Sequence, residues 1–339
     1  MVVGLRMVEQ IRAPDFVGGG PWINSEPLSI EDLLVKREKV VMVDFWTYSR
    51  VNCLRALPYM KKWWSKYKDK AFELVSVHTP EFDFEEDYDN VQRFCRENGI
   101  TWPVVMDSDY AIWNAYGNRY WPRKYLVDLD GIVRYDHAGE GAYTGTEIMI
   151  QHLLREADPL VELPPVESEE QALRARAVCL PFSQDLYCGY ERGRIGNKEG
   201  YHEGRVIDYE DPGSYEESYI YLNGPWENNA QNVRHARTMG ELDDHIAILY
   251  YGTEVNAVIC PAKGGEFKVR AAVDGGPVPG SMAGADIQIE QGRSFLVVNE
   301  PRMYRVIRAS EYGAHVLRLA SNSDEFQVYT YTFGGCLEG

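Results

Sequence analysis

The sequence predicts an α/β domain followed by an all-β domain, an antiparallel sandwich of the jelly-roll kind. Three observations carry this expectation. The first half alternates β-branched runs with helically periodic ones, the pattern of helices packed on a sheet. From Tyr219 onward helical periodicity fades, and short β-rich runs recur between Gly, Pro, Asn and Asp turns. At 339 residues the chain has room for two domains, each large enough to bury its own core. The expected boundaries are 1–158 for the α/β domain, 159–200 for a linker packing between domains, and 201–339 for the sandwich.

The first domain opens with a loop containing Gly18-Gly19-Gly20-Pro21, after which Ser29-Ile30-Glu31-Asp32 has the form of a capping box opening a short helix. Val40 to Trp46 is a continuous apolar run broken only by Asp44, as a central strand buried on both faces requires. Cys53 to Tyr67 has helical periodicity, with Pro58 inside it predicting a kink. Phe72 to Val77 reads as the next strand, Glu86 to Glu97 as a helix ended by Asn98-Gly99, and Val104 to Met106 as a short strand. A helix from Tyr110 to Tyr116 leads to Trp121-Pro122. Lys124 to Asp128, the turn Asp130-Gly131 and Ile132 to Tyr135 then form a hairpin. Thr144-Gly145-Thr146-Glu147 is a second capping-box pattern, opening a helix that runs to about Ala157.

The expected linker carries Pro159, Pro164 and Pro165, the acidic stretch Glu167 to Glu170, a short helical run and the Gly-rich piece Gly189 to Asn197. Beyond it the expected strands include His245 to Tyr251, Val255 to Cys260, Phe267 to Val273, Met303 to Ile307, His315 to Leu319 and Phe326 to Phe333. Trp226, Tyr250, Tyr251, Tyr304, Tyr329 and Tyr331 are either buried faces of these strands or a stacking surface for sugar rings, and alternation favours the core.

Composition narrows the function. The net charge of −17 opposes a phosphate backbone, so nucleic acid is not an expected partner. No apolar run approaches a membrane span, and the start lacks a secretory signal pattern, so a cytoplasmic location is the expectation. The seven histidines form no pair at metal-ligand spacing, and no metal or other cofactor is expected. Scattered cysteines in such a chain are expected to be free buried thiols, with a Cys179–Cys188 bridge as the alternative.

The sequence that carries chemistry is Asp44-Phe45-Trp46-Thr47-Tyr48-Ser49-Arg50-Val51-Asn52-Cys53, with Pro58-Tyr59 and then Trp121-Pro122-Arg123. It resembles the thioredoxin-like domain of DipZ-type and related redoxin proteins. Gly189 to Asn197, Asn256-Ala257-Val258, Pro301-Arg302-Met303-Tyr304 and Thr332-Phe333-Gly334 resemble the carbohydrate-binding-module-like β domain that comes next in those proteins. The resemblance implies a thiol-disulfide oxidoreductase whose active-site thiols lie beside a cis proline, here Pro122. It also implies that Arg50 occupies the position of the first, attacking cysteine and that only the second, Cys53, remains. One thiol beside a guanidinium cannot close a disulfide ring, so ordinary dithiol exchange is unavailable.

Two functions are compatible with this site. In the first, Cys53 is a reactive thiol, Arg50 its electrostatic partner and Asp44 a proton acceptor, while Trp46, Trp121 and Pro122 hold a thiol- or disulfide-bearing protein or a small thiol. Cys53 then exchanges with disulfides, or reduces peroxide through a sulfenic acid, although Trp46 and Arg50 replace the Pro and Thr of the peroxiredoxin pattern. The anion facing Arg50 is Asp44 or a surface acid, the Cys53 thiolate, or a ligand. In the second, the fold is a catalytically silent binding or scaffolding protein, with a glycan or partner protein at the β domain.

Overall fold

The computed structural model divides the chain into two compact units, residues 1–169 and 170–339. Residues 11–166, 178–238, 240 and 243–337 are described. The acidic stretch Glu167 to Glu170, the helical run after it and the first ten residues lie outside them.

The first unit contains Trp22–Ile23 (β1), Val40–Trp46 (β2), Val51–Tyr67 (α1), Phe72–His78 (β3), Tyr88–Glu97 (α2), Val104–Met106 (β4), Ala111–Ala115 (α3), Arg123–Val127 (β5), Val133–Ala138 (β6) and Tyr143–Ala157 (α4). They form one mixed sheet in the order β1-β4-β3-β2-β5-β6. β2 runs parallel to β3 and antiparallel to β5. Being central, β2 is buried along its whole length, which is why its sequence reads as a continuous apolar run.

Alternation along β2 sorts its side chains between two cores. Val40, Met42 and Trp46 pack with α1, α2 and α4. Val41, Val43 and Phe45 pack with α3 and with Leu33 and Leu34 on the opposite face. Asp44 has the parity of Met42 and Trp46, so its carboxylate lies on the face that carries α1. Trp63 of α1 anchors that core and is 1% exposed; its truncation to Ala would cost about 3–5 kcal/mol. The helix continues through Pro58.

Both capping-box expectations need correction. Ser29 Oγ does accept a hydrogen bond from the Asp32 N–H at 3.0 Å, but the segment it opens is a single π-helical turn, Asp32–Lys36. Helix α4 begins at Tyr143 with no side-chain cap. Its Glu147 turns inward and accepts from Lys66 Nζ and Tyr67 Oη, each at 2.7 Å. Burial beside two donors outweighs a cap.

The second unit contains Val178–Cys179 (β7), Leu186–Tyr187 (β8), Val206–Tyr209 (β9), Ile220–Asn228 (β10), Val233–His235 (β11), His245–Pro261 (β12), Phe267–Val273 (β13), Gly276–Pro277 (β14), Gln288–Glu290 (β15), Arg293–Val298 (β16), Arg302–Ser321 (β17), Phe326–Gly334 (β18) and Cys336–Leu337 (β19). Eleven of these strands hydrogen-bond in one continuous antiparallel sheet. The continuity comes from β12 and β17, which the sequence divides at Gly252 and Gly313. Those two glycines face each other in the ladder. Gly252 has φ +152°, and a Cβ there would stand 2.6 Å from the Gly334 carbonyl oxygen, so here glycine lets two strands pass close together without ending them.

The expected linker is divided. From Val178 its described part belongs to the β domain, because β8 pairs with β18 and Asn197 bonds the backbone of Leu222 and Glu210. Trp226, Tyr250, Tyr304 and Tyr331 are fully buried and Tyr329 nearly so. They therefore form core and no sugar-stacking surface, and Tyr251 alone of that set is exposed.

The cysteine expectation is also corrected. Cys179 bonds Cys336, 157 residues away. Antiparallel pairing of β7 with β19 sets the two residues opposite each other, whereas Cys188 is fully buried and free.

Candidate functional site

The site forms where β2 ends and α1 begins. Arg50 is the residue before the first turn of α1, with extended backbone, and Cys53 comes one turn later, its N–H bonding the Arg50 carbonyl at 3.0 Å. Trp121 and Pro122 reach the same place from the segment before β5, joined by a cis peptide bond. The Arg50 guanidinium lies 5.8 Å from the centre of the Trp121 ring. The Trp121 indole N–H donates to the Thr79 carbonyl at 3.0 Å, and its ring packs on Trp113 with centroids 4.3 Å apart.

Arg50 has a definite anion. Its Nη1 is 2.6 Å from Glu81 Oε2, with the arginine side chain 21% exposed and the glutamate 3%. Of the three expectations for this charge, a structural acid is the one observed, but the acid is Glu81 and not Asp44. Glu81 is fixed in turn by Glu85, whose fully buried carboxylate accepts from the backbone N–H groups of Ser49, Glu81 and Phe82 at 3.2, 2.6 and 3.0 Å. Glu85 thus ties the loop before α1 to the loop after β3. Burial pushes its pKa up, opposed by hydrogen bonds from Ser49 and Thr47.

Cys53 is 4% exposed and packs in the core beneath α1. Burial pushes its thiol far above the ordinary cysteine range, and the charge of Asp44 adds to this. A backbone hydrogen bond from Thr47 and the charges of Arg50 and Lys124 act in the opposite sense and are outweighed. The sulfur is therefore held as a neutral thiol.

Beneath it lies a buried pair of opposite charges. Asp44 on β2 is directly opposite Lys124 on β5, and Lys124 is fully buried. Burial raises Asp44 to about 6 despite the lysine, and Ser76 Oγ donates to it at 3.4 Å. Burial lowers the Lys124 pKa, opposed by Asp44, Cys53 and Glu140. Asp44 Oδ1 and Lys124 Nζ have no hydrogen-bond partner. Two incompletely satisfied ionisable groups in a core are costly, and such groups accompany functional sites more often than they occur elsewhere.

Of the residues expected at the site, the structure brings together Arg50, Cys53, Asp44, Trp121 and Pro122. It separates Trp46, which is 5% exposed and sets its ring edge-on against buried His78; Trp46 packs core and cannot meet a ligand from solvent. Sequence reasoning missed Glu81, Glu85 and Lys124. A lysine in the apolar strand Lys124 to Val127 was a legible signal. The two glutamates stand in an acidic, aromatic loop that gives no pattern. No cluster of His, Cys, Asp or Glu suited to a metal ion occurs among the described residues, and none of their helices is long and apolar enough to cross a membrane.

Comparison with known proteins sets this geometry in a family. Residues 11–136 match the AhpC/TSA family and residues 183–334 match the thioredoxin-like C-terminal domain family. The thiol-disulfide oxidoreductase YkuV of Bacillus subtilis is 30% identical over 145 residues, covering 43% of this chain and 95% of YkuV. The chain belongs to the thioredoxin-like redoxin family. The thiol-disulfide oxidoreductase ResA of Bacillus thuringiensis is 30% identical over 128 residues, 38% of this chain and 68% of ResA. DipZ of Mycobacterium bovis is 34% identical over 327 residues, covering 95% of this chain and both of its units, but 43% of DipZ. The redoxin chain thus spans less than half the length of that relative.

Proposed function

We propose that this redoxin is a binding module for thiol- or disulfide-bearing proteins, seated at the rim formed by Arg50, Trp121 and Pro122, and that its Arg50-x-x-Cys53 site does not turn over dithiols. The observation that carries this reading is the state of Cys53: a buried sulfur, held protonated, with the neighbouring guanidinium committed to Glu81. A nucleophilic cysteine needs thiolate and access, and this one has neither. The kinds of partner are inferred from relatives named as thiol-disulfide oxidoreductases.

A second reading is favoured by the Asp44–Lys124 pair. A carboxylate titrating at about 6 on the face that carries α1 is suited to take the Cys53 proton if the site opens. Cys53 thiolate would then attack a partner's disulfide, forming one mixed disulfide and releasing the partner's other sulfur as thiolate. An external thiol would attack the mixed disulfide to free Cys53.

Insulin reduction and peroxide consumption by the native chain and by Cys53→Ser separate the two. Equal rates support the binding module, and activity lost with Cys53 supports single-thiol chemistry. As to location, the Cys179–Cys336 bridge favours an oxidising compartment over the cytoplasm expected from the sequence.

A further inference from the structure

The cysteines of this chain that face solvent are bonded to each other. All six lie among the described residues: Cys53, Cys95, Cys188 and Cys260 are free and buried, whereas Cys179 and Cys336 are exposed and form the disulfide. An external thiolate must reach a sulfur before it can exchange with it, and exposed bridges are the labile, catalytic or regulatory ones. With Cys53 buried, the reachable sulfur chemistry of this redoxin is in its β domain.

The bridge also stands where it can open without opening the core. β7 and β19 form a two-stranded sheet apart from the eleven-stranded one, with Cys179 directly opposite Cys336, and neither cysteine belongs to the apolar cluster of the β domain. The backbone on each side is fastened by bonds that do not involve the sulfurs. After Cys179, the Leu180 N–H donates to the Gly335 carbonyl at 2.9 Å, the Pro181 carbonyl accepts from Tyr312 Oη at 2.6 Å, and the Ser183 N–H donates to the Tyr251 carbonyl at 3.0 Å. On the other side, Thr253 Oγ1 donates to the carbonyls of Gly334 at 3.2 Å and of Cys336 itself at 3.4 Å. Tyr251 and Thr253 belong to β12 and Tyr312 to β17, so both cysteine-bearing segments are tied to the main sheet as well as to each other. Two thiols released there stay neighbours, and their re-closing is an intramolecular step at high effective concentration.

We propose that Cys179–Cys336 is a redox-active disulfide, a thiol–disulfide exchange site in the β domain that is reduced by an external dithiol and passes the electrons to another disulfide while the domain stays folded. A thiolate of the dithiol attacks one exposed sulfur, the S–S bond breaks, and the other cysteine leaves as thiolate and takes up a proton. The second thiol of the dithiol then attacks the mixed disulfide, closing its own ring and releasing the first cysteine as a thiol. The dithiol is oxidised by two electrons and the bridge is reduced by two. In the return step one of the released thiols attacks a substrate disulfide and its neighbour resolves the adduct, which re-forms the bridge. Every residue of this site belongs to the β domain, so it is independent of the Arg50–Cys53 reading.

The test uses the full native chain, dithiothreitol as the dithiol and 5,5′-dithiobis(2-nitrobenzoate) as the substrate disulfide, with iodoacetamide labelling resolved site by site by mass spectrometry. After dithiothreitol, Cys179 and Cys336 are expected to label together while the four buried cysteines do not, with the circular dichroism spectrum unchanged. The reduced chain, freed of dithiothreitol, is expected to release about two thionitrobenzoate ions and to regain its bridge with no adduct retained; Cys179→Ser should release about one and keep the adduct on Cys336. The measurements on the native chain stand whether or not the variant folds. A bridge that resists dithiothreitol until the circular dichroism signal is lost, labelling of the buried cysteines along with the pair, or a reduced chain that ends with adducts on both sulfurs would each overturn the proposal. Site-resolved labelling reads Cys53 separately, so failure here is distinguishable from failure of the reading of the Arg50–Cys53 site.

Discussion

The guanidinium of Arg50 is paired with Glu81 at 2.6 Å, three residues before Cys53. The arginine has a partner built for it. Glu81 is held in place by its own backbone N–H bonding buried Glu85, so the arginine is integrated with the loop after β3 and does not hang at the helix start. Replacing Glu81 with Gln leaves a partly buried cation without its anion. A stability loss of about 1.5–3 kcal/mol is expected from losing a charge-assisted hydrogen bond, measured by urea unfolding.

Arg50→Cys places a second sulfur three residues before Cys53. The expected result is insulin-reducing activity at least about tenfold above the native chain, because a dithiol can close the ring that one thiol cannot. Activity no higher than that of the native chain would mean that a second sulfur alone does not make this site a dithiol exchanger.

Asp44 gives a pH signature whose sign is unusual for a carboxylate. Its folded pKa is raised from an ordinary 3.8 to about 6. The stability it contributes is therefore complete below about pH 4 and is lost as pH rises through 6, an effect of about 3 kcal/mol for a shift of this size. Asp44→Asn removes that loss. The stability difference between variant and native chain should thus move in favour of the variant between pH 4 and 6 and be flat above about pH 7, as tracked by urea unfolding across that range.

The disulfide is testable by counting thiols. Alkylation of the unfolded chain should label four cysteines without reductant and all six with it. Removing the bridge by Cys179→Ser and Cys336→Ser releases a loop of 157 residues and should destabilise the β domain by up to roughly 5 kcal/mol on the chain-entropy argument.

The fold was legible wherever local pattern and tertiary role coincide. Val40 to Trp46 reads as a central strand because both its faces are buried, and Trp121-Pro122 marks the approach to the hairpin. The pattern failed where long-range packing decides. Glu147 looks like a helix cap and is a buried partner of Tyr67 and Lys66. Gly252 and Gly313 look like strand ends and are a crossing point within two long strands. Cys179 meets Cys336 only because the last strand returns to β7. At the site, Arg50, Asp44 and Cys53 are picked out by the resemblance of Asp44 to Cys53 to a thioredoxin-like site, whereas Glu81, which answers Arg50, comes from a loop 31 residues on with no periodicity to announce it.

The central claim is that Cys53 is a buried, neutral thiol in the resting protein. Iodoacetamide labelling of the native chain, resolved site by site by mass spectrometry from pH 6 to 9, measures this directly. The expected result is that Cys53 labels no faster than buried Cys95 and reacts only when the chain is unfolded. Rapid labelling of Cys53 in the folded protein, rising with an apparent pKa below about 8, would contradict the account.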